Sequence, residues 1–197
     1  CLSLEIGVLR PPADQQQALK FGDDYRRAQW ENADDFQSQL GMYRVKAGYV
    51  ALIRALEPAA GIVRGAMFLS IACSVGFGLL CLWILWREKG LQGGLVLAPA
   101  LLIAGYGDMT SSVAPDLLLA LVSLAALYAL FKGREIVGCV LLFAATLARP
   151  DALILTFALL LAAVLFNWRK GPILASFFAS FALAEMLARY GGHPGWW

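Results

Sequence analysis

Six nearly uninterrupted apolar runs, at 61–86, 91–106, 115–131, 136–148, 152–166 and 172–188, constrain this chain more than any other feature. Water-soluble helices and strands alternate apolar with polar positions, so that one face meets solvent; these runs do not. Only 15% of the residues are charged, where soluble domains average about a quarter. A backbone in lipid must satisfy its hydrogen bonds within its own segment, which leaves the α-helix as the natural form for such runs. The expected fold is all-α: a polytopic transmembrane helical bundle of about six membrane segments over 61–197.

A spanning helix needs about 20 residues. The run 61–86 exceeds that, while the later runs are shorter. The run 136–148 is the weakest; 136–166 reads either as two spans or as a re-entrant hairpin.

The junctions orient the runs. "WREKG", "FKGRE" and "NWRKG" carry six basic residues, Arg87, Lys89, Lys132, Arg134, Arg169 and Lys170. The alternate junctions "GYGDMTSSVAP", "LARPD" and "ARYGGHPGWW" carry two, Arg149 and Arg189. Basic residues collect on the cytoplasmic side, so the first set is expected inside and the second outside. The same alternation makes 1–60 an extracytoplasmic loop, with the apolar stretch 1–8 as the tail of a preceding span. Within this loop, "GYVALIRALEP" puts Tyr49, Leu52, Ile53 and Leu56 on one face of a short interfacial helix that Pro58 would end.

Charge therefore gathers outside. "FGDDYRRAQW" places Asp23 and Asp24 beside arginines, and "YRVK" supplies Arg44 and Lys46. A carboxylate takes a proton from a hydroxyl, and a cation holds a phosphate while charge builds on it. Asp116 and Asp151 each follow a proline at a helix start, a position that suits an acid whatever else it does. Arg149 calls for an anion: Asp151, Asp116 or a ligand phosphate. Glu185 lies one turn before Arg189 and suits an i,i+4 pair as well as a site; His193 sits in a Gly/Pro loop. No basic tract with interleaved aromatics points to nucleic acid, and no phosphate-loop glycine pattern occurs. The cysteines lack metal-knuckle spacing. Acid-rich outer loops are compatible with a divalent cation, but no ligand spacing is diagnostic of a metal or other cofactor.

These features resemble the GT-C superfamily of polytopic membrane glycosyltransferases, which use polyprenyl-phosphate sugars at the outer membrane face. "GDDYRRAQ…YRVKAGYVALIRALEP" is similar to the first outer loop of bacterial members. "SSVAPDLLLALVSLAALYALFKGRE" and "LLFAATLARPDALILTFALLLAAVLF" resemble the paired helices that follow, and "RYGGHPGWW" a later outer loop. The resemblance implies sugar transfer from a lipid-linked donor, with Asp23 or Asp24 as general base. It further implies Arg149 as a donor-phosphate contact, a bacterial inner-membrane location, and an N-terminal catalytic fragment of a longer enzyme. Competing expectations are a transporter or lipid flippase, and a membrane subunit without chemistry. Oligomeric state, sugar and acceptor are not encoded in any motif.

Overall fold

The computed structural model describes residues 44–111 and 114–191. Among them every regular element is helical, in the order α1 (Ala47–Ala60), α2 (Ile62–Arg87), a 3₁₀ turn (Leu91–Gly93), α3 (Gly94–Ile103), α4 (Tyr106–Ser111), α5 (Asp116–Phe131), α6 (Glu135–Ala148), α7 (Ala152–Leu165) and α8 (Lys170–Gly191). Two of these, α2 with 26 residues and α8 with 22, are long and apolar enough to cross a membrane. The 3₁₀ turn with α3, and α5, α6 and α7, are apolar but shorter.

Helix α1 carries Tyr49 and Ile53 on its buried face, where they pack with Ala66 of α2. Leu52 is turned outward, so the buried stripe is narrower than the sequence suggests. Pro58 does not end the helix. It costs the chain one backbone bond inside the last turn, and the helix stops at Gly61, whose φ of +75° favours glycine. The chain re-enters a helix at Ile62 directly.

The run 91–106 is broken as well. After α3, Gly105 adopts φ +73° and the chain restarts as α4. Tyr106 then donates its hydroxyl to the Ser74 carbonyl at 2.6 Å, with the Ser74 hydroxyl at 2.9 Å. Ser74 lies in the middle of α2, so this polar latch fastens α4 to the midpoint of the longest helix. Helix α3 buries none of its own residues.

The best-packed pair is α5 with α6. Gly138 permits it, since a Cβ there would sit 2.5 Å from Leu130 Cγ and 3.2 Å from the Ala126 carbonyl oxygen. Helices α6 and α7, 14 residues each, touch one another little; α8 packs on both and joins them. The stretch 136–166 thus forms two helices, both held by α8.

Burial runs opposite to the pattern of a soluble core. Small side chains make up most of the interior, including Ala66, Ala126, Ala145, Thr146, Ala163 and Ser180, all at 0% exposure, with Leu117 and Leu142 the largest fully buried side chains. Large apolar ones face outward, such as Ile103 at 88%, Ile136 at 78% and Phe131 at 74%. In water the large residues would be the buried ones.

Candidate functional site

The bundle has two chemically distinct ends. At one, Glu88 after α2 accepts a hydrogen bond from Tyr128 at 2.7 Å and pairs with Lys132 at 2.6 Å. Arg169, before α8, pairs with Glu135 at the start of α6 at 3.4 Å. These contacts gather the three basic junctions at one end. The turns before α5 and between α6 and α7 lie at the opposite end, about 24 Å away along the 16 residues of α5 at ~1.5 Å per residue.

The site at that opposite end is built around Arg149. A residue before proline is pressed into extended conformation, and Arg149 has φ −152° and ψ 127°. Helix α6 therefore ends there, and the side chain is turned across the helix ends. Its Nη1 donates to Asp116 Oδ1 and its Nη2 to Asp151 Oδ2, one arm to each carboxylate. Asp116 is the first residue of α5, where the unpaired N–H groups of a helix start favour an anion. Arg149 thus ties the start of α5 to the α6–α7 turn.

Lys46 completes the group. Gly48 brings it there: a Cβ at this position would lie 2.8 Å from the Leu147 carbonyl oxygen, so α1 begins directly against the last turn of α6. Burial is the main cause lowering the Lys46 pKa from the ordinary lysine value. The Arg149 charge adds to that, while Asp116 and Asp151 oppose it. Burial also works against the Arg149 charge, but the bonds and charges of Asp151 and Asp116 outweigh it and raise its pKa. Two cations and two carboxylates balance. The carboxylates stay accessible, with Asp116 38% and Asp151 45% exposed. The hydroxyls of Tyr49 and Ser70 are buried as neighbours of one another.

Of the residues singled out from the sequence, Lys46, Asp116 and Arg149 come together. Asp23, Asp24 and His193 lie outside the described residues. Arg44 is exposed two residues before Lys46. Glu185 accepts a 2.9 Å bond from Arg189 Nε one turn along its own helix and takes no part in the Arg149 pairing. Arg149 meets both carboxylates among its three proposed anions. Among the described residues, no three His, Cys, Asp or Glu side chains are grouped to hold a metal ion. Sequence reasoning passed over Glu88, Glu135 and Tyr128, which organise the basic end. The i,i+4 spacing of Tyr128 and Lys132 was the one available signal.

Chemically, the arrangement offers two half-open carboxylates fixed by a guanidinium, with an ammonium beside them. That suits an acceptor hydroxyl and an anionic group approaching from the same side. Comparison with known protein families, with characterised proteins and with solved structures finds no match to this chain.

Proposed function

We propose that the chain belongs to a polytopic membrane glycosyltransferase that moves a sugar from a polyprenyl-phosphate donor to an acceptor hydroxyl on the extracytoplasmic face. The membrane part of the reading rests on the inverted burial pattern. In lipid no hydrophobic force drives large side chains inward, and small residues let helices approach closely. The basic end then faces the cytosol of a bacterial inner membrane, and the shorter apolar helices are membrane segments too. Helix α1, expected from the sequence to lie on the membrane surface, instead folds back along the first half of α2 at the outer side.

The single observation that carries the functional part is the convergence of Lys46, Asp116, Arg149 and Asp151 at the end opposite the basic junctions. In the proposed reaction the acceptor oxygen attacks the anomeric carbon and its proton passes to Asp23 or Asp24. The bond from that carbon to the phosphate oxygen breaks, and the lipid phosphate leaves with the electron pair. Lys46 and Arg44 receive that charge. Arg149, with each arm on a carboxylate, is a positioning residue and not a phosphate ligand, a change from the role the resemblance implied. One displacement gives inversion at the sugar. Charged side chains outside α1 lie towards helix ends rather than in mid-helix among the described residues, which favours this reading over a transporter or flippase.

The test uses membranes carrying the full-length gene product, a radiolabelled polyprenyl-phosphate sugar and endogenous acceptor. Transfer should vanish in Asp23→Asn/Asp24→Asn with insertion unchanged, and Lys46→Ala should raise KM for the donor. Full activity in the double variant would remove the base from the scheme. An unchanged donor KM would remove Lys46.

A further inference from the structure

The basic end carries more charge than its own pairing uses. Glu88 is taken by Lys132 and Glu135 by Arg169. Arg87, Lys89, Arg134 and Lys170 make no ion pair among the described residues, and all four are exposed. The contacts that join the three junctions make these cations neighbours: Glu88 sits between Arg87 and Lys89, Arg134 precedes Glu135, and Lys170 follows Arg169. An aromatic collar surrounds them, with Trp86 63%, Phe131 74%, Phe166 69% and Trp168 53% exposed. Phe166 and Trp168 stack with centroids 6.0 Å apart.

A surface with four uncompensated cations rimmed by outward aromatic rings has the chemistry of a headgroup layer. The rings sit at the boundary between hydrocarbon and water, and the cations lie just beyond it, at phosphate depth. A soluble anion would account for the cations but not for the collar, which has no use in water. We infer that this end is a binding surface for anionic phospholipid headgroups, and that it selects them over zwitterionic lipid. The two internal glutamate pairs serve the surface by neutralising the carboxylates that, among the described residues, would repel a phosphate there. This inference rests on the membrane reading and not on sugar transfer. A chain that selects anionic lipid but moves no sugar keeps this inference and loses the other.

The experiment reconstitutes the full chain in phosphatidylcholine vesicles with trace spin-labelled phosphatidylglycerol or spin-labelled phosphatidylcholine. It measures the motionally restricted fraction of each probe. The expected result is a several-fold preference for the glycerol lipid, declining as sodium chloride rises because exposed charges are screened. Arg87→Gln/Lys89→Gln/Arg134→Gln/Lys170→Gln should abolish the preference, while Arg87→Lys/Arg134→Lys should keep it, since an ammonium serves as well as a guanidinium for a point charge. Equal restriction of both probes, a preference indifferent to salt, or a preference kept by the glutamine variant would each overturn the inference. Removing four cations also weakens the orienting signal, so the salt series on the unmodified chain stands independently of that variant. Inorganic phosphate at matched ionic strength should displace no more lipid than chloride does; stronger displacement would make this a free-anion site. Displacement by an acidic peptide at matched ionic strength would make it a protein-docking surface instead.

Discussion

Arg149 owes its place to Pro150. The proline excludes the preceding residue from helical backbone, so α6 must end there, and the guanidinium is carried onto Asp116 and Asp151. That much was legible from "LARPD" and "APD", which named both partners among the alternatives. Invisible in the sequence was that both would be taken at once, because this depends on how close α5 comes to the α6–α7 turn. Arg149→Ala leaves two carboxylates facing each other without a cation. Partly exposed pairs are worth up to about 1 kcal/mol each, so a loss of roughly 1–2 kcal/mol is expected. Arg149→Lys should recover only part of it, since one ammonium cannot reproduce a fork spread across two acids. Thermal unfolding in detergent reads both. Adding Asp116→Asn/Asp151→Asn to Arg149→Ala should restore stability, because the repulsion is then gone.

At the scale of elements, the clasp between α2 and α5 is sensitive to acid. Lys132 first, and Tyr128 next, hold the Glu88 carboxylate pKa below its ordinary value. A carboxylate depressed in the folded state contributes stability above its unfolded pKa of about 4.3, and loses it as pH falls through the lower folded value. Protection of the amides of residues 88–90, taken as the exchange rate relative to the intrinsic rate at each pH, should therefore fall below about pH 4. In Glu88→Gln the protection should lose that acid dependence. An identical acid profile in the variant would assign the transition elsewhere.

The α5–α6 contact depends on Gly138 in a different way. Gly138→Ala forces Leu130 and the helix axis apart and should cost about 1–3 kcal/mol, the range for overpacking. Gly48→Ala meets a carbonyl oxygen that cannot move aside, and should loosen α1 and with it Lys46. Calorimetry on each variant reads the first effect, and labelling of a cysteine at Arg44 the second. Neither glycine stood out in the sequence, because a close approach leaves no signal until the neighbouring helix is known. The break at Gly105 and the Tyr106–Ser74 latch were hidden likewise. A uniformly apolar run has no period to mark where it bends or which face it buries.

For the whole molecule, the helices and their junctions were readable because apolar length and charge punctuate the chain plainly. Their arrangement was not. Most interior positions are filled by Ala, Ser, Thr and Gly, with a few Leu and Ile among them; all of these types occur on every face of these runs, so residue identity hardly distinguishes α8 lying across α6 and α7 from other orders. The gathering of like junctions is what the account needs most. In a background lacking the native cysteines, single cysteines at Arg44 and Pro150 mark one end, and at Gly90 and Trp168 the other. A membrane-impermeant maleimide applied to sealed, right-side-out vesicles should label the first two and spare the second two until the vesicles are opened. Labelling of Pro150→Cys and Gly90→Cys from the same side would contradict the two-ended arrangement, and with it both the proposed site and the lipid surface.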